Sequence, residues 1–450
     1  MGVPFRFIHA ADLHVDSPFR GLTDAPPEVR KALRESTFRA ARRLADAAIE
    51  EAADFVVIAG DLYDAADRSL HAQLALQKEW QRLHAHGVQL FIIHGNHDPL
   101  SGRQAILRWP ESIRFFGAER VEQFPAYTRR GELAAYVTGI SYASRSVTAN
   151  LAARYEARRD GTYEIALLHG NVDGDASHDP YAPCRLDELT GAGFHYWALG
   201  HIHQRAVLHA YPHVVYAGNA QGRHARETGA KGCYVVDVAA NRETKLRFVP
   251  LDTVRWANLD APIDGLTSEQ ALLDAMERRA LEAAAANEGR SLMARLKLTG
   301  RGPLHGLLGD AERLDELLAG LRDRMAESDY GTGAAGAEAG ETPWCWIASL
   351  ESAAGADADP AALAEEDSFA GELVRGSRRI ERGEEPLEDV LEEALQPLLG
   401  HPKLRRAVRE AMKGRGPDWL ARARELAAGL LAGETESPKP DTTAQGGKAR

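Results

Sequence analysis

The sequence predicts an α/β fold in which two β-sheets pack face to face between outer helices, followed by a small α+β domain and a C-terminal helical segment. Up to residue 93, apolar strand-like runs alternate with helical patterns, which makes two βαβ units and a largely parallel sheet. After residue 110 the runs shorten and long helices become few, so a second sheet is needed to bury them. Five of the apolar runs end on clusters of Asp, His and Asn, at the strand ends where ligands gather in such folds.

Residues 4–10 are a short apolar run ending near Asp12 and His14. Pro26-Pro27 then opens a helix expected to reach about Ala53, with Leu33, Thr37, Ala41, Leu44 and Ala48 on one face. A buried strand follows over Phe55–Ala59 and closes on Gly60-Asp61, then a second helix around Ser69–His86 and a strand over Gln89–Ile93. The second set of strands is expected at 134–142, 163–168, 195–199, 214–216, 233–238 and 244–251, which completes a first domain of residues 1–252. Residues 253–352 read as strand, helix, strand, helix, strand, a small α+β domain. Within it Gly331–Gly336 matches the dinucleotide fingerprint in form, but no strand precedes it and no helix follows, so a flexible loop is expected. Residues 353–432 are helical and charged, with an apolar stripe of Leu387, Val390, Leu391, Ala394 and Leu398, and residues 433–450 have the composition of a disordered tail.

Composition narrows the function classes. The net charge is −12, and the first 250 residues hold 29 Lys+Arg and 29 Asp+Glu, so the acidic excess lies in the remainder. Such a balance argues against a protein that coats nucleic acid through its overall charge, yet leaves room for a local basic groove. No run approaches the ~18 apolar residues of a membrane span, and the N-terminus lacks the regions of a signal peptide, so a cytoplasmic protein without membrane attachment is expected. Cys184, Cys233 and Cys345 are too far apart and too few for a disulfide framework, and reduced thiols are expected.

The five clusters are Asp12-Leu13-His14, Gly60-Asp61-Leu62-Tyr63-Asp64, Gly95-Asn96-His97-Asp98, His169-Gly170-Asn171 and Gly200-His201-Ile202-His203. Asp12, His14, Asp61, Asn96, His169, His201 and His203 form a mixed oxygen and nitrogen donor set suited to transition-metal ions. Two residues apart in an extended segment, the members of Asp12-x-His14 and His201-x-His203 point to one side, and each pair is expected to act as a pincer. Either pair alone is an ordinary surface or core feature; their joint occurrence in one order carries the weight. Seven ligands with one bridging carboxylate allow two ions about 3.5–4 Å apart, an arrangement suited to displacement at phosphorus.

That order of clusters resembles the calcineurin-like metallophosphoesterases, whose fold is a four-layer αββα sandwich. Within it, Ala11–Phe19, Tyr181–Cys184 and Gly218–His224 resemble YhaO-type DNA repair exonucleases, relatives of the SbcD nuclease subunit of bacterial SbcCD. The resemblance implies one ion on Asp12, His14, Asp61 and His203 and another on Asp61, Asn96, His169 and His201, with Asp61 bridging. It implies His97 as the histidine facing the leaving group and Asp98 as the residue that orients it. It also implies two divalent ions, Mn²⁺ by preference, that activate a hydroxide for phosphodiester hydrolysis in DNA repair. Residues 253–352 stand where the group carries a capping domain, and 353–432 where it engages an SMC-like coiled-coil ATPase or a second copy. The sequence departs from SbcD at Val15–Pro18 and in its acidic second half. The competing expectations are a phosphodiesterase or phosphatase acting on small molecules or phosphoproteins, and a non-catalytic scaffold for an ATPase. The complete ligand set argues against the scaffold.

Overall fold

The computed structural model describes residues 2–19, 24–103, 105–158, 160–174, 179–332, 342–357 and 360–433. The order of elements begins with β1 (Phe5–Ala10), α1 (Pro27–Glu50), β2 (Phe55–Ala59), α2 (Leu70–Ala85), β3 (Gln89–Ile93) and β4 (Ile113–Phe115). These strands form one sheet with β11 (Gly232–Val238) and β12 (Thr244–Pro250), in the order β12-β11-β1-β2-β3-β4. The pairs from β1 to β4 are parallel, and β11 joins β1 antiparallel. The second sheet has the order β5-β6-β7-β8-β10-β9, from β5 (Glu122–Tyr127), β6 (Leu133–Gly139), β7 (Tyr163–His169), β8 (Tyr196–Gly200), β9 (Ala206–Ala210) and β10 (His213–Tyr216). It too has a parallel centre, β6-β7-β8-β10.

Burial on both faces of each sheet explains why the central strands read as continuous apolar runs. Alternate residues still part to opposite faces. Phe5, Phe7, Phe55, Val57, Phe91 and Ile93 meet Tyr163, Ile165, Leu167 and Tyr196 between the sheets, and Phe7 stacks on Phe55 with centroids 5.3 Å apart. Ile8, Val56, Ile58, Leu90 and Ile92 face the other way, toward Ala40, Ala41, Leu44 and Ala48 of α1 and Leu76 and Trp80 of α2. The alanine-rich face of α1 lets its axis lie close on the sheet. Ala166, Leu168, Trp197 and Leu199 of the second sheet bury outward beneath Tyr155, Phe194 and Leu189 of α3 (Leu186–Gly191). These cores define the αββα layers.

Three strands, β4, β5 and β9, went unexpected. β4 has three residues, too few to show a period, and β5 carries Pro125, which removes a donor and is tolerated because β5 is an edge strand. β9 is the opposite edge, and Val207 and Leu208 on it are exposed, so its burial never alternates. At α2 the expected start is met by its cap: Ser69 Oγ accepts from the amide of Ala72.

A three-stranded sheet follows, β13 (Val254–Pro262), β14 (Ser291–Thr299) and β15 (Cys345–Ser352), with α4 (Glu269–Ala285) and α5 (Ala311–Glu327) between its strands. Contacts divide the chain into two compact units. One comprises Met1–Asn258, Ala280–Arg295 and Met325–Ala348, the other Leu259–Arg279, Leu296–Arg324 and Ser349–Arg450. The first unit reaches past residue 252 because Val254, Trp256, Met293 and Trp344 bury against Val29 and Leu33 of α1. In the second lie α6 (Pro360–Glu365), α7 (Phe369–Glu381), α8 (Leu387–Ala394), α9 (Gln396–Leu399) and α10 (Arg405–Gly433).

The apolar stripe of residues 387–398 is divided. Leu387 and Leu391 pack against α10 at Gly416, where a Cβ would stand 2.9 Å from the Leu391 side chain, while Ala394 and Leu398 are exposed. Pro397, at the start of α9, lies where the stripe breaks between two helices. The expected loop at Gly331–Gly336 and the expected tail at 433–450 fall largely outside the described residues. All three cysteines are free and buried, and burial pushes each thiol up to about 12. Among the described residues no helix is long and apolar enough to cross a membrane.

Candidate metal centre

All seven expected ligands converge where the carboxyl ends of β1, β2 and β3 meet those of β7 and β8. The sequence folds this way locally because the strands stop at residues that leave extended geometry. Asp12, His14, Asp61 and His201 all adopt positive φ, at 51°, 43°, 52° and 93°. Non-glycine residues in that region carry strain and concentrate at functional sites. The two pincers therefore do not form as expected. Asp12 and His14 converge through left-handed backbone rather than an extended segment, and His201 and His203 diverge, one to each half of the site.

One half is Asp12, His14 and His203, whose donor atoms lie within 4.8 Å of one another. The other centres on Asn96, whose Oδ1 stands 2.9 Å from His169 Nε2 and 3.2 Å from His201 Nδ1. Asp61 lies between the halves. Its Oδ2 is 3.7 Å from His14 Nε2 and 3.4 Å from His169 Nε2, while Oδ1 accepts from the amide of His97 at 2.9 Å. Small residues make room for this approach: a Cβ on Gly95 would stand 2.4 Å from Asp61 Oδ1, and one on Gly200 1.9 Å from the carbonyl of Ala59.

The outer ring nitrogens decide where the inner lone pairs point. His169 Nδ1 is 2.9 Å from the carbonyl of Ala59, His201 Nε2 is 2.9 Å from that of Asp179, and His203 Nδ1 is 2.6 Å from Glu227 Oε1. His14 turns Nδ1 toward Asp64 Oδ1 at 3.4 Å. On His169, His201 and His203 a carbonyl or carboxylate fixes the proton on the outer nitrogen, as it does for metal-binding histidines generally. Nε2 of His14 and of His203 stand 3.1 Å apart, close enough for both to ligate one cation. At Asn96 an amide oxygen faces two more ring nitrogens. Both points call for positive charge, so the donor set fits two cations.

The electrostatics agree. Burial pushes His14 down to about 3, and the nearby Arg223 guanidinium adds to this. Burial pushes Asp12 up to about 7, and the charge of Asp61 reinforces it against His169. Asp61 itself lies well below the usual carboxylate range, because His169 outweighs its burial. His169 is raised to about 9, since Asp61 and Asp12 overcome the desolvation of its ring. The proton it carries occupies a place suited to a cation.

His97 stands beside this set. Its ring is 4.7 Å from that of His14, and Nδ1 donates to the carbonyl of Asp64 at 2.8 Å, which leaves Nε2 for other partners. Asp98 does not orient it. That carboxylate, fully buried, accepts from the amides of Leu62 at 3.0 Å and Gly95 at 2.8 Å and bonds His94 Nδ1 at 3.0 Å. The expectation failed because both oxygens of Asp98 are committed to bracing the loops after β2 and β3. Asp98 supports the site without reaching it.

Three residues escaped the sequence reading: Asp64, Arg223 and Glu227. The Arg223 guanidinium bonds Asp64, and Glu227 takes four donors, from His203, His224, Asn219 and the amide of Arg223. Asp64 closed a quoted cluster and Arg223 lay inside Gly218–His224, so both were in view without a role. Nothing in the spacing singled out Glu227.

A sandwich of two parallel-centred sheets whose strand ends gather this donor set defines a metallophosphoesterase. Residues 5–205 match the calcineurin-like phosphoesterase family, and residues 256–355 match the middle domain of the metallophosphoesterase YhaO. The chain belongs to the calcineurin-like metallophosphoesterases. It is 40% identical to the uncharacterized metallophosphoesterase YhaO of Bacillus subtilis over 72% of this chain and 78% of that protein. It is also similar to the DNA double-strand break repair proteins Mre11 of Sulfurisphaera tokodaii and Thermoplasma acidophilum. Identity to the first is 29% over 37% of this chain and 42% of that protein, and to the second 24% over 55% and 66%.

Proposed function

We propose that this chain is a metal-dependent DNA nuclease, an exo/endonuclease using Mn²⁺ and acting in repair with an SMC-like coiled-coil ATPase. The observation that carries the reading is Asp61 Oδ2, set between His14 and His169 so that one carboxylate oxygen serves both halves of the site. Asp12, His14, Asp61 and His203 would hold one ion, and Asp61, Asn96, His169 and His201 the other. When bound, two such cations supply Lewis acidity toward the phosphoryl oxygens and lower the pKa of water toward neutrality. The chain's own part is to hold and move a proton. With Nδ1 fixed on the carbonyl of Asp64, His97 presents Nε2 as the acid for the departing alkoxide, a role that suits a histidine near pH 7. Asp98, through the amides of Leu62 and Gly95, keeps Asp61 and Asn96 at their positions.

DNA as substrate is favoured by the likeness to proteins named for double-strand break repair and by two regions that a small-molecule hydrolase has less use for. In this reading residues 253–352 form a cap and 353–432 contact the ATPase or a second copy. The test is purified protein with Mn²⁺ on end-labelled duplex and single-stranded DNA, beside bis-p-nitrophenyl phosphate. Cleavage of DNA and of the small diester, both abolished by EDTA, is expected. Turnover of the small diester with DNA left intact overturns the nuclease reading in favour of a small-molecule phosphodiesterase.

A further inference from the structure

Among the described residues, the two halves of the centre are braced by different chemistry. His169 and His201 lean on backbone carbonyls, those of Ala59 and Asp179, each at 2.9 Å. His203 leans on the Glu227 carboxylate at 2.6 Å, and His14 faces that of Asp64. We propose that the two cation positions are unequal, and that Glu227 makes the one at His14 and His203 the tighter. This rests on the two-cation reading above and goes beyond it.

A carboxylate bonded to the outer nitrogen of a ligating histidine makes the inner nitrogen more basic than a neutral carbonyl does, and such partners change metal affinity by ~10–100-fold. Glu227 is built for this. It is 6% exposed, so solvent screens it weakly, and neither oxygen is left to wander. Oε2 accepts from Asn219 Nδ2 at 2.9 Å and from the amide of Arg223 at 2.7 Å, while Oε1 takes His203 and His224, the latter at 3.2 Å. The cations Arg223 and Lys231 stand close by, Arg223 on Asp64 and Lys231 on the carbonyl of His203. Arg223 also stands 3.9 Å from Glu227 Oε1 and 3.5 Å from His203 Nδ1, so the carboxylate, the ring and the guanidinium form one network beside this half.

Glu227 is a positioning residue, and its test reads metal rather than turnover. Mn²⁺ titration of the full chain, followed by the electron paramagnetic resonance of free ion, should resolve two classes of site at least about tenfold apart. Glu227→Gln should weaken the tighter class by ~10–100-fold and bring the two together, with two ions still bound at saturation. Asn96→Ala should remove the weaker class and spare the tighter one. His224→Ala, which takes away a half-exposed partner of Glu227, should weaken the tighter class a few-fold; this variant and Asn96→Ala decide the matter if Glu227→Gln does not fold. Two equal classes in the unaltered protein, an unmoved tighter class in Glu227→Gln or His224→Ala, or loss of the tighter class in Asn96→Ala each overturn the proposal. A protein that binds no Mn²⁺ at all overturns the metal centre itself.

Discussion

The sandwich and the C-terminal helices spend their charges differently. In the sandwich, Asp12, Asp61, Asp98 and Glu227 are buried, each facing a histidine or bonded to backbone amides. In α7 to α10 the ion pairs, such as Arg375–Glu372 and Arg406–Glu410, lie at the surface, where each contributes little. Leu391 and Val374 are buried there, yet Phe369, Leu398, Leu404 and Leu426 remain exposed. The difference teaches where function can reside. Buried, paired charge gives preorganised chemistry; exposed apolar side chains among surface charges give a surface fit for contacts.

Changes at the rim should have the largest effects. Asp61→Ala removes the oxygen shared by both halves, and two cations without it repel at short range. Metal analysis after Mn²⁺ loading should fall from two ions per chain toward none, with phosphodiester hydrolysis at background; full occupancy would dismiss Asp61 as the bridge. His97→Ala should keep both ions and its thermal stability while turnover drops ~10²–10⁴-fold. Metal lost along with that side chain would make His97 a ligand instead.

Asp98→Ala tests the reassigned role. It leaves two buried amides and His94 without their acceptor, so denaturant unfolding should show a loss of about 3 kcal/mol or more. Unchanged stability with lowered turnover would return Asp98 to a part in the chemistry.

A smaller effect belongs to Glu164 in β7, a carboxyl that burial raises to about 7. Gln123 donates to Oε2 at 3.0 Å, and Oε1 is buried without a partner. Its folded value lies above its unfolded one, so the folded state binds the proton more tightly. Stability is therefore lost as pH rises from about 4.5 toward 7. Glu164→Gln should flatten that part of the profile of melting temperature against pH. An identical profile in both proteins means the carboxyl is ionised in the fold.

The smallest effect is expected at the far end of the comparison. A chain ending at Gly355 lacks α6 to α10 but keeps every residue of the candidate centre, and it should hydrolyse bis-p-nitrophenyl phosphate with Mn²⁺ at nearly the full rate. Loss of that activity in a chain still folded by circular dichroism would show that the helices serve the site.

Much of the sandwich was legible because period and punctuation are local. The apolar runs over Phe55–Ala59 and Gln89–Ile93, and Ser69 before α2, carry their meaning within a few residues. The seven donors were legible for a related reason: each closes a strand, and parallel strands bring their carboxyl ends to one edge. β4, β5 and β9 were not, being short or at sheet edges where burial imposes no pattern.

What the sequence determined by itself is the donor set and the layers that carry it, since side-chain chemistry and strand period are properties of short stretches. Tertiary structure alone decided how the donors are aimed. His201 and His203 part company because the backbone turns left-handed at His201, and Asp98 serves Leu62, Gly95 and His94 because those groups surround it when the sheets close. Glu227 meets His203 from 24 residues along the chain, and Asp64 meets Arg223 across 159. A hydrogen bond depends on position to within tenths of an ångström, and only the packed core sets positions that finely between segments so far apart.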